Sequence, residues 1–159
     1  FMTNMATYAL KRYAALAGIV LVLLTLVFGL SYIRRKNEVK YLTAAAVSLL
    51  SRYPGFADQS VSISGRADGA VPTSLPFRAV LRASYAGRDA LIFFLPITGK
   101  YGVYSAVFFY EKTLGCVFCG LAGIDAAPEM LHSYGITSAA IKIQQAKIET
   151  LMQKYSRQP

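Results

Sequence analysis

Histidine and cysteine are scarce: His132, Cys116 and Cys119 are the whole supply in 159 residues. A structural zinc takes four nitrogen or sulfur ligands, so one chain offers an incomplete set. Cys116-Val117-Phe118-Cys119 has the C-x-x-C spacing of half a zinc site or a redox pair. In an extended strand, residues three apart point to opposite faces, which opposes a disulfide unless a bulge intervenes. The pair is therefore read as buried small hydrophobes. His132 follows an acidic, proline-containing turn and has no serine or cysteine elbow beside it, so it is read as a loop histidine. The eight acidic residues show no paired spacing for acid–base work. There is no Walker loop, no G-x-G-x-x-G fingerprint, no internal repeat and no low-complexity tract. No catalytic residue and no metal ligand is assigned. The 17 basic residues outnumber the acids, for a net charge of +9, but they are scattered without a Lys/Arg stripe. Nucleic acid is excluded as a partner on that ground.

What is present in quantity is apolar sequence. Residues 13–33, YAALAGIVLVLLTLVFGLSYI, form a run of 21 without a charge, between Lys11-Arg12 and Arg34-Arg35-Lys36. As a helix it spans about 30 Å, the thickness of a bilayer's hydrocarbon core. Tyr13 and Tyr32 stand at its ends, where amphipathic rings favour the headgroup zone. A cleaved signal peptide has a shorter apolar region and a small-residue cleavage site, whereas this run ends in Ser-Tyr-Ile-Arg-Arg-Lys. The expectation is a retained single-pass anchor in a lipid bilayer, with 1–12 a short tail and 34–159 one anchored domain. Basic residues stand on both flanks, so charge decides the orientation only weakly.

The domain reads as α+β. Residues 37–52 carry Val39, Leu42, Ala46, Leu49 and Leu50 at helical spacing, with Tyr53-Pro54-Gly55 as the stop, which predicts a juxtamembrane helix. Residues 65–76 are rich in Gly, Pro and Ser and are read as a loop. Residues 77–84 alternate, predicting a strand with one wet face. Residues 85–88 turn the chain, 89–97 continue as an apolar strand, and 98–102 make the next connection. A further strand pair follows at 103–111 and 114–123, turning at Lys112-Thr113. Successive short strands predict a mainly antiparallel sheet. Residues 136–155 close the chain as a helix, capped by Thr137 or Ser138, with Ile141, Ile148, Met152 and Tyr155 as its apolar stripe beside Ala140 and Leu151.

Two stretches invite a ligand. Gly99-Lys100-Tyr101-Gly102 is a glycine-bounded turn carrying a lysine. It serves either as a plain hairpin turn or as backbone that a ring or phosphate can approach. Ser133-Tyr134-Gly135-Ile136-Thr137-Ser138 places a glycine and two hydroxyls at a helix start, as an ordinary N-cap or as a seat for an anion.

The order of anchor, basic helix and β-hairpin domain resembles the FMN-binding subunits of the sodium-translocating NADH:quinone reductase and of the related Rnf electron-transport complex. Arg34-Arg35-Lys36-Asn37-Glu38 is similar to the charged run after the anchor in that family. Gly87 to Ile97, Gly99-Lys100-Tyr101-Gly102-Val103-Tyr104-Ser105 and the strand to Glu111 resemble its strand, glycine turn and following strand. Ile136-Thr137-Ser138-Ala139-Ala140-Ile141 is similar to the tail after its S-G-A-T flavinylation motif. The resemblance implies an electron-relay subunit among other membrane-complex subunits. It implies FMN near Gly99, Lys100, Gly102, Gly135, Thr137 and Ser138, and an extracytoplasmic domain at the inner (plasma) membrane. Aligned on glycine, Tyr134-Gly135-Ile136-Thr137 keeps Thr137 as the flavin acceptor. Aligned on the tail, which matches more residues, Gly135 takes the acceptor position and covalent FMN is lost. The competing class is a flavin-free structural subunit that helps hold a larger membrane complex together.

Overall fold

The computed structural model describes residues 2–56, 61–67, 69, 71 and 77–156. The chain divides into two compact units, residues 1–40 and 41–159.

The first unit consists of helix, and that helix continues into the second: α1 runs without a break over Met2–Arg52. The stretch expected as a tail is thus helical from Met2, and the expected anchor and juxtamembrane helix are one element. No proline or glycine pair interrupts residues 30–52, so the backbone has no reason to stop at the charges. Every large apolar side chain from Tyr13 to Ile33 is more than half exposed. The helix contains an 18-residue window of mean hydropathy 2.5, long and apolar enough to cross a membrane by length and composition. Thr25, the one hydroxyl in mid-run, donates to the Leu21 carbonyl at 2.8 Å and so leaves no polar hydrogen unpaired.

The second unit is built on five strands in the order β1-β2-β3-β4-β5, each antiparallel to its neighbours. They are β1 (Val61–Arg66), β2 (Ala79–Tyr85), β3 (Arg88–Gly99), β4 (Gly102–Glu111) and β5 (Gly115–Leu121). Tight turns join β2 through β5. Ala86 and Gly87 both have positive φ, 51° and 74°, the backbone that matches the twist of a two-residue hairpin. The β4–β5 turn is held by Glu111, whose carboxylate accepts from the Thr113 and Leu114 amides, each at 3.0 Å, and from the Thr113 hydroxyl at 2.7 Å.

Side chains alternate between two cores. On one face Leu42, Ala46 and Leu50 of α1, with Phe56 of a 3-10 turn at Pro54–Phe56, meet Leu81, Ile92, Phe94, Val107 and Phe109. On the other, Ile148, Leu151 and Met152 of α2 (Ser138–Tyr155), with Leu131 and Ile136, meet Val80, Phe93, Leu95, Phe108 and Leu121. Phe93, Phe94, Phe108 and Phe109 are each fully buried, two per face. Burying each contributes roughly 1.5–3 kcal/mol before cavity terms.

Several expectations change. β2 alternates as expected, with Arg82 exposed and Ser84 half-buried on one side, but Val80 on that same side is buried, because this part of the sheet is covered on both faces. β1 was not expected at all, and Gly65 and Arg66, read as loop, belong to it. The rest of that loop lies largely outside the described residues. The last helix starts at Ser138, with Ile136 buried ahead of it, and Tyr155, 43% exposed, is not among its buried residues. The α+β class and the antiparallel sheet stand as expected.

Candidate functional site

The two stretches singled out for a ligand meet in space. The β3–β4 hairpin closes with Gly99 opposite Gly102. Against it lies the end of a 3-10 helix, Pro128–Tyr134, which leads through Gly135 into α2. The Lys100 amide donates to the Tyr134 carbonyl at 2.7 Å, and the Tyr104 and Tyr134 rings pack edge to face with centroids 5.8 Å apart.

That meeting explains the glycines. A Cβ on Gly99 would stand 2.3 Å from the Tyr134 carbonyl oxygen, and one on Gly135 would stand 2.7 Å from the Lys100 amide nitrogen. Gly135 also adopts φ 74°, the left-handed conformation that terminates the 3-10 helix. The space each glycine opens is therefore occupied by the chain's own backbone. Gly102 differs: its φ of 137° demands glycine, but nothing lies within 4 Å of its missing Cβ.

Thr137 is the N-cap of α2, its hydroxyl oxygen accepting from the Ala140 amide at 3.2 Å. Ser138 begins the helix and is exposed, as are Thr137 and the Lys100 side chain. Lys100 Nζ sits 5.4 Å from the Tyr101 ring centroid, a cation–π contact on the surface. Of the six residues, the structure brings Gly99, Lys100 and Gly135 together, places Thr137 and Ser138 two and three residues on, and leaves Gly102 on the far side of the turn. The cradle that a flavin ring or phosphate would need at the two close glycines is filled, so the residues as they stand do not fit FMN there.

The cysteines behave as small hydrophobes. Cys116 belongs to the α2-side core and Cys119 packs with the α1-side core. A bulge is present, since Phe108 faces Phe118 while Val107 faces Gly120, yet the two thiols still lie on opposite faces of the sheet and are free. Burial pushes both thiols up, with Glu149 adding to the effect at Cys116, and Cys119 is raised to about 12. Neither has the thiolate character that reactivity needs. His132 Nδ1 lies 2.9 Å from the Glu129 carbonyl, so that nitrogen carries the proton and the ring stabilises its own 3-10 turn. Among the described residues no three His, Cys, Asp or Glu side chains cluster to hold a metal.

Three features escaped the sequence reading. Gln145 and Glu149 grip one residue of edge strand β5: Gln145 donates to the Cys116 carbonyl at 2.9 Å, and Glu149 accepts from its amide at 3.0 Å. Their i, i+4 spacing on one helix face was the available signal. Glu111, only 3% exposed, is the buried charged side chain among the described residues. Desolvation pushes its carboxyl up, but the bonds from Thr113 and Leu114 and the nearby Arg88 outweigh this and hold it below the usual range. Third, a groove of about 430 Å³ runs beside β5, lined by Leu49, Tyr53, Phe118, Ile124 and Leu131, with the Arg52–Asp125 ion pair on its rim.

A family model described as "Uncharacterised protein" matches residues 47–158. The chain belongs to that family. It is also similar to an uncharacterized protein of Treponema pallidum (strain Nichols), with 31% identity over 154 residues, covering 96% of this chain and 97% of the relative. That match takes in the apolar helix as well as the sheet domain. No solved structure matches.

Proposed function

We propose that the chain is a single-pass membrane protein whose α+β domain serves, without flavin, as a structural subunit of a larger membrane complex. The carrying observation is how the candidate cradle is used. Gly99 and Gly135 pack backbone on backbone and Thr137 caps α2, so three of the residues proposed for FMN have structural work. The apolar helix supports the anchor: its large apolar side chains from Tyr13 to Ile33 are exposed among the described residues, and leaving them in water is far costlier than placing them in lipid. The domain is assigned to the extracytoplasmic face of the plasma membrane, on the resemblance in element order.

The second reading is an FMN-binding relay subunit of the reductase and Rnf type. One observation favours it: the hairpin turn and the helix start, which the resemblance places around the flavin, are neighbours in the fold. In that reading FMN would supply the electron transfer, while Lys100 would offer a charge and Thr137 an acceptor hydroxyl.

Fractionation tests the first reading. The protein should stay with membranes through alkaline carbonate extraction. An engineered surface cysteine in the domain should react with an impermeant reagent on intact cells. Release by carbonate would remove the anchor, and labelling only after lysis would place the domain inside.

A further inference from the structure

Outside the apolar helix, the most exposed large apolar side chains described are Tyr101 and Val103, each 70% exposed. Both lie at the tip of the β3–β4 hairpin, with Lys100 beside them. A two-residue hairpin usually takes Asn, Asp and Gly at its tip. Tyr101 packs on nothing in the core; its ring is accompanied by the Lys100 ammonium.

The position of the tip is fixed by how α1 crosses β5. Leu49 packs over Gly120, and the Tyr41 hydroxyl lies over Gly123. Followed toward its N-terminus, the helix thus advances along β5 in the direction 120 to 123. β5 is antiparallel to β4, with Gly120 opposite Val107 and Leu121 opposite Ala106. The same direction therefore leads down β4 toward Gly102. The hairpin tip stands at the end of the sheet where the chain enters from the apolar helix, and Tyr41, 65% exposed, stands at that end too.

We propose that the tip, Lys100-Tyr101-Gly102-Val103, is a second lipid contact through which the domain rests on an anionic bilayer surface. The proposal rests on the membrane-anchor reading. A tyrosine ring is at home at the headgroup boundary, the equally exposed Val103 adds apolar area at the same tip, and Lys100 meets the phosphates of acidic lipids. Chain continuity names the occupant: the tip lies at the end of the sheet where Tyr41 stands, and the residues just before Tyr41 lead into the proposed anchor.

The chain has no tryptophan, so a single one reports without background. The full chain is reconstituted in vesicles of phosphatidylethanolamine and phosphatidylglycerol, part of the lipid carrying brominated acyl chains. Three variants are compared: Tyr101→Trp at the tip, Leu114→Trp at the opposite end of the sheet, and Leu23→Trp within the apolar run. Leu23→Trp should be quenched strongly. Tyr101→Trp should be quenched at least about twofold more than Leu114→Trp, with blue-shifted emission, as expected for an interfacial ring. Adding Lys100→Glu, or omitting phosphatidylglycerol, should lower the quenching of Tyr101→Trp. Quenching of Leu23→Trp with Tyr101→Trp no different from Leu114→Trp would overturn the lipid contact while leaving the anchor intact, and would mean that the tip faces water or a protein. An unquenched Leu23→Trp would overturn both readings.

Discussion

Replacing Gly99 by alanine separates a glycine kept for packing from one kept for a ligand. The added Cβ would sit 2.3 Å from the Tyr134 carbonyl oxygen and 2.8 Å from the Tyr104 ring. The carbonyl belongs to backbone, so it cannot rotate away as a side-chain end would. Either the hairpin or the 3-10 helix end must move, and the 2.7 Å bond from the Lys100 amide to that carbonyl is lost. Overpacking costs about 1–3 kcal/mol, and an amide left unsatisfied costs a similar ~1–3 kcal/mol. The terms overlap because one movement relieves the first by incurring the second, so Gly99→Ala should destabilise by about 2–4 kcal/mol. At roughly 3–6 °C per kcal/mol for a domain of this size, the melting temperature of the purified protein in detergent should fall by upwards of about 6 °C. Lys100→Ala is the control: the exposed side chain goes, the amide bond stays, and stability should change by less than about 0.5 kcal/mol. If Gly99→Ala melts with the wild type, the hairpin is not clamped against Tyr134 and its glycine is kept for something else.

Other outcomes follow from the cores and the buried charge. Ile148 is fully buried, so Ile148→Ala should cost about 2–5 kcal/mol by denaturant unfolding; a cost below about 0.5 kcal/mol would put that face of α2 in solvent. Glu111 has a folded pKa held below its ordinary 4.5. Its contribution is complete above the unfolded value and is lost as pH falls through the folded one. Stability should therefore drop on acidification below about pH 4.5, more steeply in the wild type than in Glu111→Gln. Parallel pH curves would refute the cap. Cys116 and Cys119, held up by burial and Cys119 to about 12, should resist thiol reagents at pH 8 until denaturant is added, and should form no disulfide with each other. Rapid modification of the folded protein would contradict this.

The core of the sheet was legible because β2, β3 and β4 announce themselves: alternating residues, two unbroken apolar runs, and turns at Ala86-Gly87 and Lys100-Tyr101 between them. β1 escaped because only Val61 and Ile63 are apolar among serines; it sits at the sheet edge, where one partner strand suffices. The alternation of β2 read its outer side correctly at Arg82 and Ser84 but missed Val80 for a tertiary reason: Val80 is covered by the α2-side core, whose Ala67 and Val71 lie far off in the local pattern. The continuity of α1 was hidden by Arg34, Arg35 and Lys36, which read as a boundary of environment and were taken as a boundary of structure. For the candidate site, the spacing singled out residues to consider but not what they lie against. No spacing rule says that Gly135 will lie against the Lys100 backbone, and that contact turns an apparent cradle into packing.

The central claim, an anchored domain that works without flavin, is tested most directly on protein purified from membranes, by intact mass and visible absorbance together. The account predicts the mass of the unmodified polypeptide and no flavin bands, with Thr137→Val matching the wild type in both. A mass increase equal to an FMN phosphoester, acid-stable and lost in Thr137→Val, would contradict it, as would flavin bands from a bound but unattached FMN.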